Sequence, residues 1–357
     1  MTSIRIDLWG DSITKPTLEM KRFMMDAEVG NEVEGEDPTA DRLCEMVADL
    51  LGKEKALFVA SGTMANEVAF RVFCQPGDEI ILDQSAHPLH TEVGGPAALS
   101  GAMTRPVTGV RGVFTAGQLE AAIRPSSRQN PRSRLVSVEQ TTNLGGGKIW
   151  PIETTIEVAE TAHRHGLAAH LDGARLMNAV VASGVSARDY AAPFDSAFIA
   201  LTKGLGCPIG SVLAGSVDFI DQAWRWRQQF GGGMRQVGII AAAGIYALEN
   251  NIERLAEDHE NAQVLARGLG AIPGVEIDPG EVETNIVHFG VGGVGLSAPA
   301  ISDALATEGV RIRAIGPTRM RALTQLEVNR ADIEEAGAIF GRVVAGSAPA
   351  RRRAAGA

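Results

Sequence analysis

Residues 168–206 read AAHLDGARLMNAVVASGVSARDYAAPFDSAFIALTKGLG, and this stretch decides the fold. It holds two short apolar runs, 168–172 and 197–201, separated by a segment of helical character and each followed by a polar, glycine-containing turn. Strands apolar on both faces belong to parallel sheets covered by helices, and strand, helix, strand in succession is the crossover unit that builds them. The pattern extends outward in both directions. Runs 57–60, 79–83, 135–139 and 212–214 are likewise short and apolar, so strands and helices are expected to alternate from residue 55 to residue 215. In open parallel sheets ligands bind beyond the carboxyl ends of the strands, which makes Asp83, Glu139, Asp172 and Lys203 expected neighbours in one crevice.

Helix signals fill the gaps. Thr39 reads as an N-cap before Leu43, Met46, Val47, Leu50 and Leu51 at helical spacing, with Gly52 ending that helix. A second helix is expected over 63–74, stopped by Pro76-Gly77, and a third over 151–166. After Gly231-Gly232-Gly233 a long apolar helix over 234–249 is expected to link two domains. From residue 255 the order becomes helix, strand, helix, two strands, helix, as in a smaller α+β domain. The expected division is a large α/β domain over 1–250, whose segment 1–38 contributes to the active site, a small domain over 251–346, and a disordered tail over 347–357.

The 357 residues carry 33 Lys and Arg against 43 Asp and Glu, and this net charge of −10 argues against nucleic acid or an anionic membrane as the main partner. A small molecule is the expected ligand. Cys44, Cys74 and Cys207 are odd in number and lack metal-ligand spacing, so no metal site and no disulfide framework are expected, as in a reduced intracellular chain. The N-terminal segment lacks a signal peptide's apolar core, and the longest apolar run, 237–248, is too short to cross a bilayer.

Chemistry concentrates at three places. Asp172-Gly173-Ala174-Arg175 and Thr202-Lys203-Gly204-Leu205-Gly206 follow two neighbouring strands. A lysine amine that forms an imine and a carboxylate that keeps a pyridine nitrogen protonated are what pyridoxal phosphate requires of a protein, and Lys203 and Asp172 suit those two roles. Ser61-Gly62-Thr63 after a strand opens a helix, where free amides and the helix dipole favour a phosphate, although plain helix capping explains the same residues. His87 follows the strand 79–83 and is a candidate for ring stacking or general base work, while His90 reads as structural.

Taken together, ITKPT (13–17), VGNEVEGEDPT (29–39), LFVASGTMANEVA (57–69), HRHGLAAHLDGARLMNA (163–179), LTKGLGCPIGSVLAGS (201–216), GGGMRQ (231–236) and ALTQLEV (322–328) resemble the low-specificity L-threonine aldolases, β-eliminating lyases of fold type I among pyridoxal-phosphate enzymes. The resemblance implies a mostly parallel seven-stranded sheet with a smaller α+β C-terminal domain, and cleavage of the Cα–Cβ bond of a β-hydroxy-α-amino acid to glycine and an aldehyde. By it Lys203, His87 and Asp172 are catalytic, and Gly62, Thr63, Arg175, Thr202 and Arg235 join them around the cofactor, Arg235 reaching a neighbouring subunit's phosphate. Arg175 and Arg321 receive the substrate carboxylate, with Gly10, Glu34 and Thr142 also at the substrate. The implied assembly is a cytoplasmic homo-oligomer, a dimer or a dimer-of-dimers tetramer with shared active sites.

The chain departs from the family pattern at several positions, four of them near the expected substrate or the GGGMRQ motif. Gly10 stands for a serine, Glu34 for a tyrosine, Thr142 for the histidine assigned to the substrate hydroxyl, and Gln228 for a lysine. A threonine is no base near neutral pH, so that task falls to His87, His90 or a bound water, with a water near His87 favoured. Two other readings stay open: a different pyridoxal-phosphate reaction, such as β-elimination, transamination or racemisation, and a cofactor-binding protein without catalysis.

Overall fold

The computed structural model describes residues 3–346. Its strands in chain order are β1 (Ile6–Asp7), β2 (Lys55–Val59), β3 (Glu79–Asp83), β4 (Met103–Val107), β5 (Ser133–Glu139), β6 (Ala168–Gly173), β7 (Ser196–Ala200), β8 (Ser211–Gly215), β9 (Ile286–Gly290), β10 (Val310–Arg311), β11 (Arg313–Ala314) and β12 (Arg319–Leu323). The chain divides into two compact units, one of residues 15–255, the other joining the segment up to Thr14 with the segment from Ala256 onward.

The large unit is built on a seven-stranded sheet in the order β2-β8-β7-β6-β5-β3-β4. The pairs from β7 to β4 are all parallel, and β8 runs antiparallel to both its neighbours. Residues of β3, β6, β7 and β8 are buried almost throughout, which is why each reads as one unbroken apolar run. Strand β4 escaped the residue-by-residue reading. It lies at the sheet edge with Met103 exposed and Pro106 in its middle, so neither alternation nor continuity marks it.

The helices adjust the expected boundaries by a few residues. Helix Pro38–Leu51 is capped by Asp37, which accepts from the Ala40 amide at 3.0 Å, while Thr39 donates its hydroxyl to the Glu28 carbonyl at 2.6 Å. Pro38 in the first turn explains the difference, since its fixed φ suits that position and moves the cap one residue upstream. The same Asp37 accepts from the Gly238 amide at 2.9 Å, and a Cβ on Gly238 would stand 2.3 Å from that carboxylate. Helix Gly238–Asn250 therefore starts where a bare backbone can approach Asp37, four residues later than the apolar pattern suggests.

The small unit has its own core of Ile6, Leu8, Leu265, Phe289, Ile301 and Phe340, with Phe289 and Phe340 meeting edge to face at 5.6 Å. Strands β11, β12 and β9 form an antiparallel sheet, and β1 pairs in parallel with β10 through Ile6 and Val310. The first fourteen residues thus belong here rather than to the large domain, and the division falls at 255 rather than 250. The reason is burial: Ile6 and Leu8 are fully buried, and their backbone groups find partners in the small unit, Ile6 at Gly309 and Leu8 at Arg311 and Leu323. The tail 347–357 lies outside the described residues.

Two non-glycine residues of the large unit, Val93 and Arg111, have left-handed backbone, and Val93 is the β-branched one. Val93 has φ 55° with its side chain fully exposed, between the short helix His87–His90 and Gly94. A β-branched residue in the left-handed region costs about 1–2 kcal/mol and nothing packs against it in return. Val93→Asn, which tolerates that conformation, should raise stability by about 1 kcal/mol, read as a higher thermal midpoint; an unchanged midpoint would mean the strain is absent.

Candidate active site

Asp172 stands one residue before the end of β6, within its buried stretch, and is 2 % exposed. Its Oδ1 accepts from the Ala174 amide at 3.0 Å and its Oδ2 from the Asn66 side chain at 2.8 Å. Asn66 stands on helix Gly62–Phe73 and donates from the same nitrogen to Glu92 Oε1 at 2.8 Å. Its oxygen is held in turn by His170 Nε2 at 3.1 Å, and His170 Nδ1 meets Ser196 Oγ at 2.7 Å. Complete burial lowers His170 to about 4, so the ring is neutral. With Nε2–H donating to the Asn66 oxygen, Nδ1 is left to accept from Ser196, and the amide has a single consistent orientation.

His87 opens the short helix after β3, with its Nδ1 2.7 Å from Glu92 Oε1. Burial by itself would lower its imidazolium, but the Glu92 hydrogen bond together with the charges of Asp172, Glu92 and Glu139 outweighs burial and raises it. Glu139 ends β5 in register with Asp172; burial and then the Asp172 charge push it up to about 8. Desolvation likewise raises Glu92 and, with Glu92 facing it, pushes Glu67 up to about 9.

Beyond β7, the turn carrying Thr202 and Lys203 is closed by hydrogen bonds from Leu201 to Gly210, Gly206 to Lys203 and Cys207 to Leu201 at 2.9–3.0 Å. Both residues are half-buried. Arg175, buried, caps helix Leu176–Ser183, and its amide donates to the Gln140 carbonyl at 3.0 Å. Ser61 caps helix Gly62–Phe73 by accepting from Met64 at 3.1 Å, so the amides of Gly62 and Thr63 in that first turn face outward at the positive end of the dipole. Strand ends β5, β6 and β7 thus bring Glu139, Asp172 and Lys203 to one edge of the sheet.

The other expected residues lie on different elements, several with partners of their own. Asp83 accepts from the Ser85 amide, the Ser85 hydroxyl and the Gly109 amide at 2.5–2.9 Å, which makes it a turn-former. Thr142 is 1 % exposed and its hydroxyl accepts from the Lys148 amide at 3.2 Å. Glu34 and Arg235 are exposed, with Arg235 3.3 Å from the Asn31 side chain. In the small unit, buried Arg321 lies on β12 opposite His288 and Arg313. Gly10 belongs to the segment beside that strand, where Leu323 donates to the Leu8 carbonyl at 3.0 Å.

A sequence profile of the β-eliminating lyases matches residues 7–291. The chain belongs to the β-eliminating lyase family. It is 40 % identical to the low specificity L-threonine aldolase of Escherichia coli K12 over 334 residues, 93 % of this chain and 97 % of that one. It is 36 % identical to the Saccharomyces cerevisiae low specificity L-threonine aldolase over 79 % of this chain and 73 % of the yeast protein. The fold matches the threonine aldolase of Leishmania major with a TM-score of 0.81 at 20 % identity, covering 95 % of this chain and all of that one. The match to Sphingomonas wittichii serine palmitoyltransferase has a TM-score of 0.74 at 16 % identity over 96 % and 87 % of the two chains. This family member is a pyridoxal-phosphate lyase, and the donor set fits that group: a buried carboxylate held by two donors, a lysine at the end of an adjoining strand and outward amides at a helix start.

The sequence gives no sign of the parts that Glu92, Glu67, His170 and Asn66 play here. Asn66 and Glu67 stand on a helix and His170 on a strand, elements whose periodicity reports packing, Glu92 stands in a loop, and nothing local to the sequence signals that they converge on Asp172 and His87.

Proposed function

We propose that this chain cleaves the Cα–Cβ bond of a β-hydroxy-α-amino acid of the threonine or allo-threonine kind, releasing glycine and an aldehyde. The observation that carries the reading is the Asp172 carboxylate, buried and fixed by Asn66 and the Ala174 amide at the strand end next to the one that leads to Lys203. When bound, the cofactor supplies an electron sink for the pair released as the bond breaks. Asp172 keeps the ring nitrogen protonated, Lys203 anchors the group, and Gly62, Thr63 and Thr202 hold its phosphate. Arg175 receives the substrate carboxylate, with Arg321 as the small unit's candidate for the same role. His87, held by Glu92, positions a water that takes the β-hydroxyl proton.

The reading includes a cytoplasmic homo-oligomer, dimer or tetramer, in which Arg235 reaches the neighbouring subunit's phosphate and Gly10 and Glu34 border the substrate. Among the described residues no helix is long and apolar enough to cross a membrane. A second reading, another pyridoxal-phosphate reaction on the same scaffold, draws on Thr142, whose hydroxyl is already engaged by its own loop. A panel of threonine, allo-threonine and phenylserine assayed for glycine and aldehyde decides between them. Aldehyde in step with glycine is the expected result; turnover giving ammonia or a keto acid instead would favour the second reading.

A further inference from the structure

We propose that Glu67 is a positioning residue for His87, holding a proton that it donates to Glu92 so that Glu92 stays a carboxylate facing the histidine ring. The proposal deepens the reading above and rests on His87 acting at the reaction centre. Glu67 is 2 % exposed and Glu92 4 %, yet among the described residues no donor reaches either oxygen of Glu67 or Oε2 of Glu92. Burial and the facing Glu92 both raise Glu67, and two buried carboxyls that act on one another cannot both be charged without a donor between them, whereas one shared proton satisfies both. The bare backbone of Gly95 leaves the room that the Glu67 carboxyl occupies: a Cβ there would stand 2.1 Å from its Oε1.

The donor roles follow from the remaining partners. Oε1 of Glu92 is fully used, accepting from Asn66 at 2.8 Å and from His87 Nδ1 at 2.7 Å. Oε2 has no donor among the described residues, and the neighbouring Glu67 carboxyl, once protonated, is the group we assign to supply one. Glu92 therefore remains an acceptor for Nδ1–H, which fixes the His87 tautomer and leaves Nε2 as the nitrogen available for proton transfer. The titratable groups that act on this trio are Asp172 from β6 and Glu139 from β5, and both are carboxyls. Apart from His87, the charges that act on Glu67 and Glu92 are carboxylates, so a second full negative charge at Glu67 is unfavourable.

The test compares Glu67→Gln, which keeps a hydrogen-bond donor of the same shape, with Glu67→Leu, which removes it. His87 titration is followed in the full chain, free of cofactor, by the pH dependence of its carbethoxylation with peptide mapping. Gln is expected to leave the His87 midpoint in place. Leu is expected to lower it by about one pH unit, because Glu92 without its donor takes up the proton itself and no longer stabilises the imidazolium.

Stability supplies an independent arm. A carboxyl whose folded pKa lies above its unfolded value binds a proton that the unfolded chain releases, so wild-type stability falls as pH rises from the unfolded value, 4.5, to about 9. Gln carries no such ionisation, and its stability advantage should widen across that window, by up to about tenfold in the folding equilibrium per pH unit. Parallel stability profiles for wild type and Gln would overturn the proposal, as would an unchanged His87 midpoint in Leu. If Leu does not fold, the wild-type and Gln comparison still decides. Neither readout uses turnover, so failure of the aldolase assignment in the substrate panel is seen separately.

Discussion

Lys203→Ala should fold normally and lose turnover by roughly 10⁴-fold or more, because a covalently acting group has no substitute within the site. The turn that carries it is closed by main-chain hydrogen bonds, Leu201 to Gly210 and Cys207 to Leu201 among them, and none of these uses the lysine side chain. Its thermal midpoint should therefore stay within a few degrees of wild type. Added pyridoxal phosphate should still associate through Asp172 and the helix start at Gly62 and Thr63, but the visible absorbance of the lysine-bound form should be missing. Borohydride reduction of the wild type followed by peptide mapping should place the label on Lys203 alone. A variant retaining more than a tenth of wild-type turnover, or label on another lysine, would remove the basis of the functional reading.

The second large effect concerns architecture. A Cβ on Gly173 would stand 2.0 Å from the Phe198 carbonyl oxygen and 3.2 Å from Leu176 Cβ. The obstacle is main chain of the neighbouring strand, which no rotamer change relieves. Gly173 pairs with Ile199 in the β6–β7 ladder immediately after Asp172, so an added methyl forces the two strands apart where Asp172 is held beside the strand leading to Lys203. Gly173→Ala is expected to cost at least about 3 kcal/mol, seen as a lower urea midpoint, and cofactor affinity should fall with it. Wild-type stability in this variant would show that the ladder yields there more easily than the close approach implies.

These two residues also mark how far the chain could be read unaided. Lys203 and Asp172 were legible because buried parallel strands write themselves as unbroken apolar runs, and whatever polar residue follows such a run stands at the carboxyl edge where ligands bind. The large sheet, its crossover helices and the α+β character of residues beyond 255 followed from the same local periodicities. Edge strand β4 did not, since an exposed edge with a proline carries neither signature.

What only the tertiary structure decided is pairing between distant segments. The first fourteen residues join the small unit because Ile6 pairs with Val310, a contact that no local pattern announces. The Glu67–Glu92–His87 arrangement and the Asn66 bridge to Asp172 bring together a helix, a loop and a strand far apart in the chain. Sequence periodicity records which face of an element is buried, because burial acts on each residue through its own hydrophobicity. A hydrogen bond between two polar groups depends on where both are carried by the fold, and in a single chain that information exists only once the elements have packed.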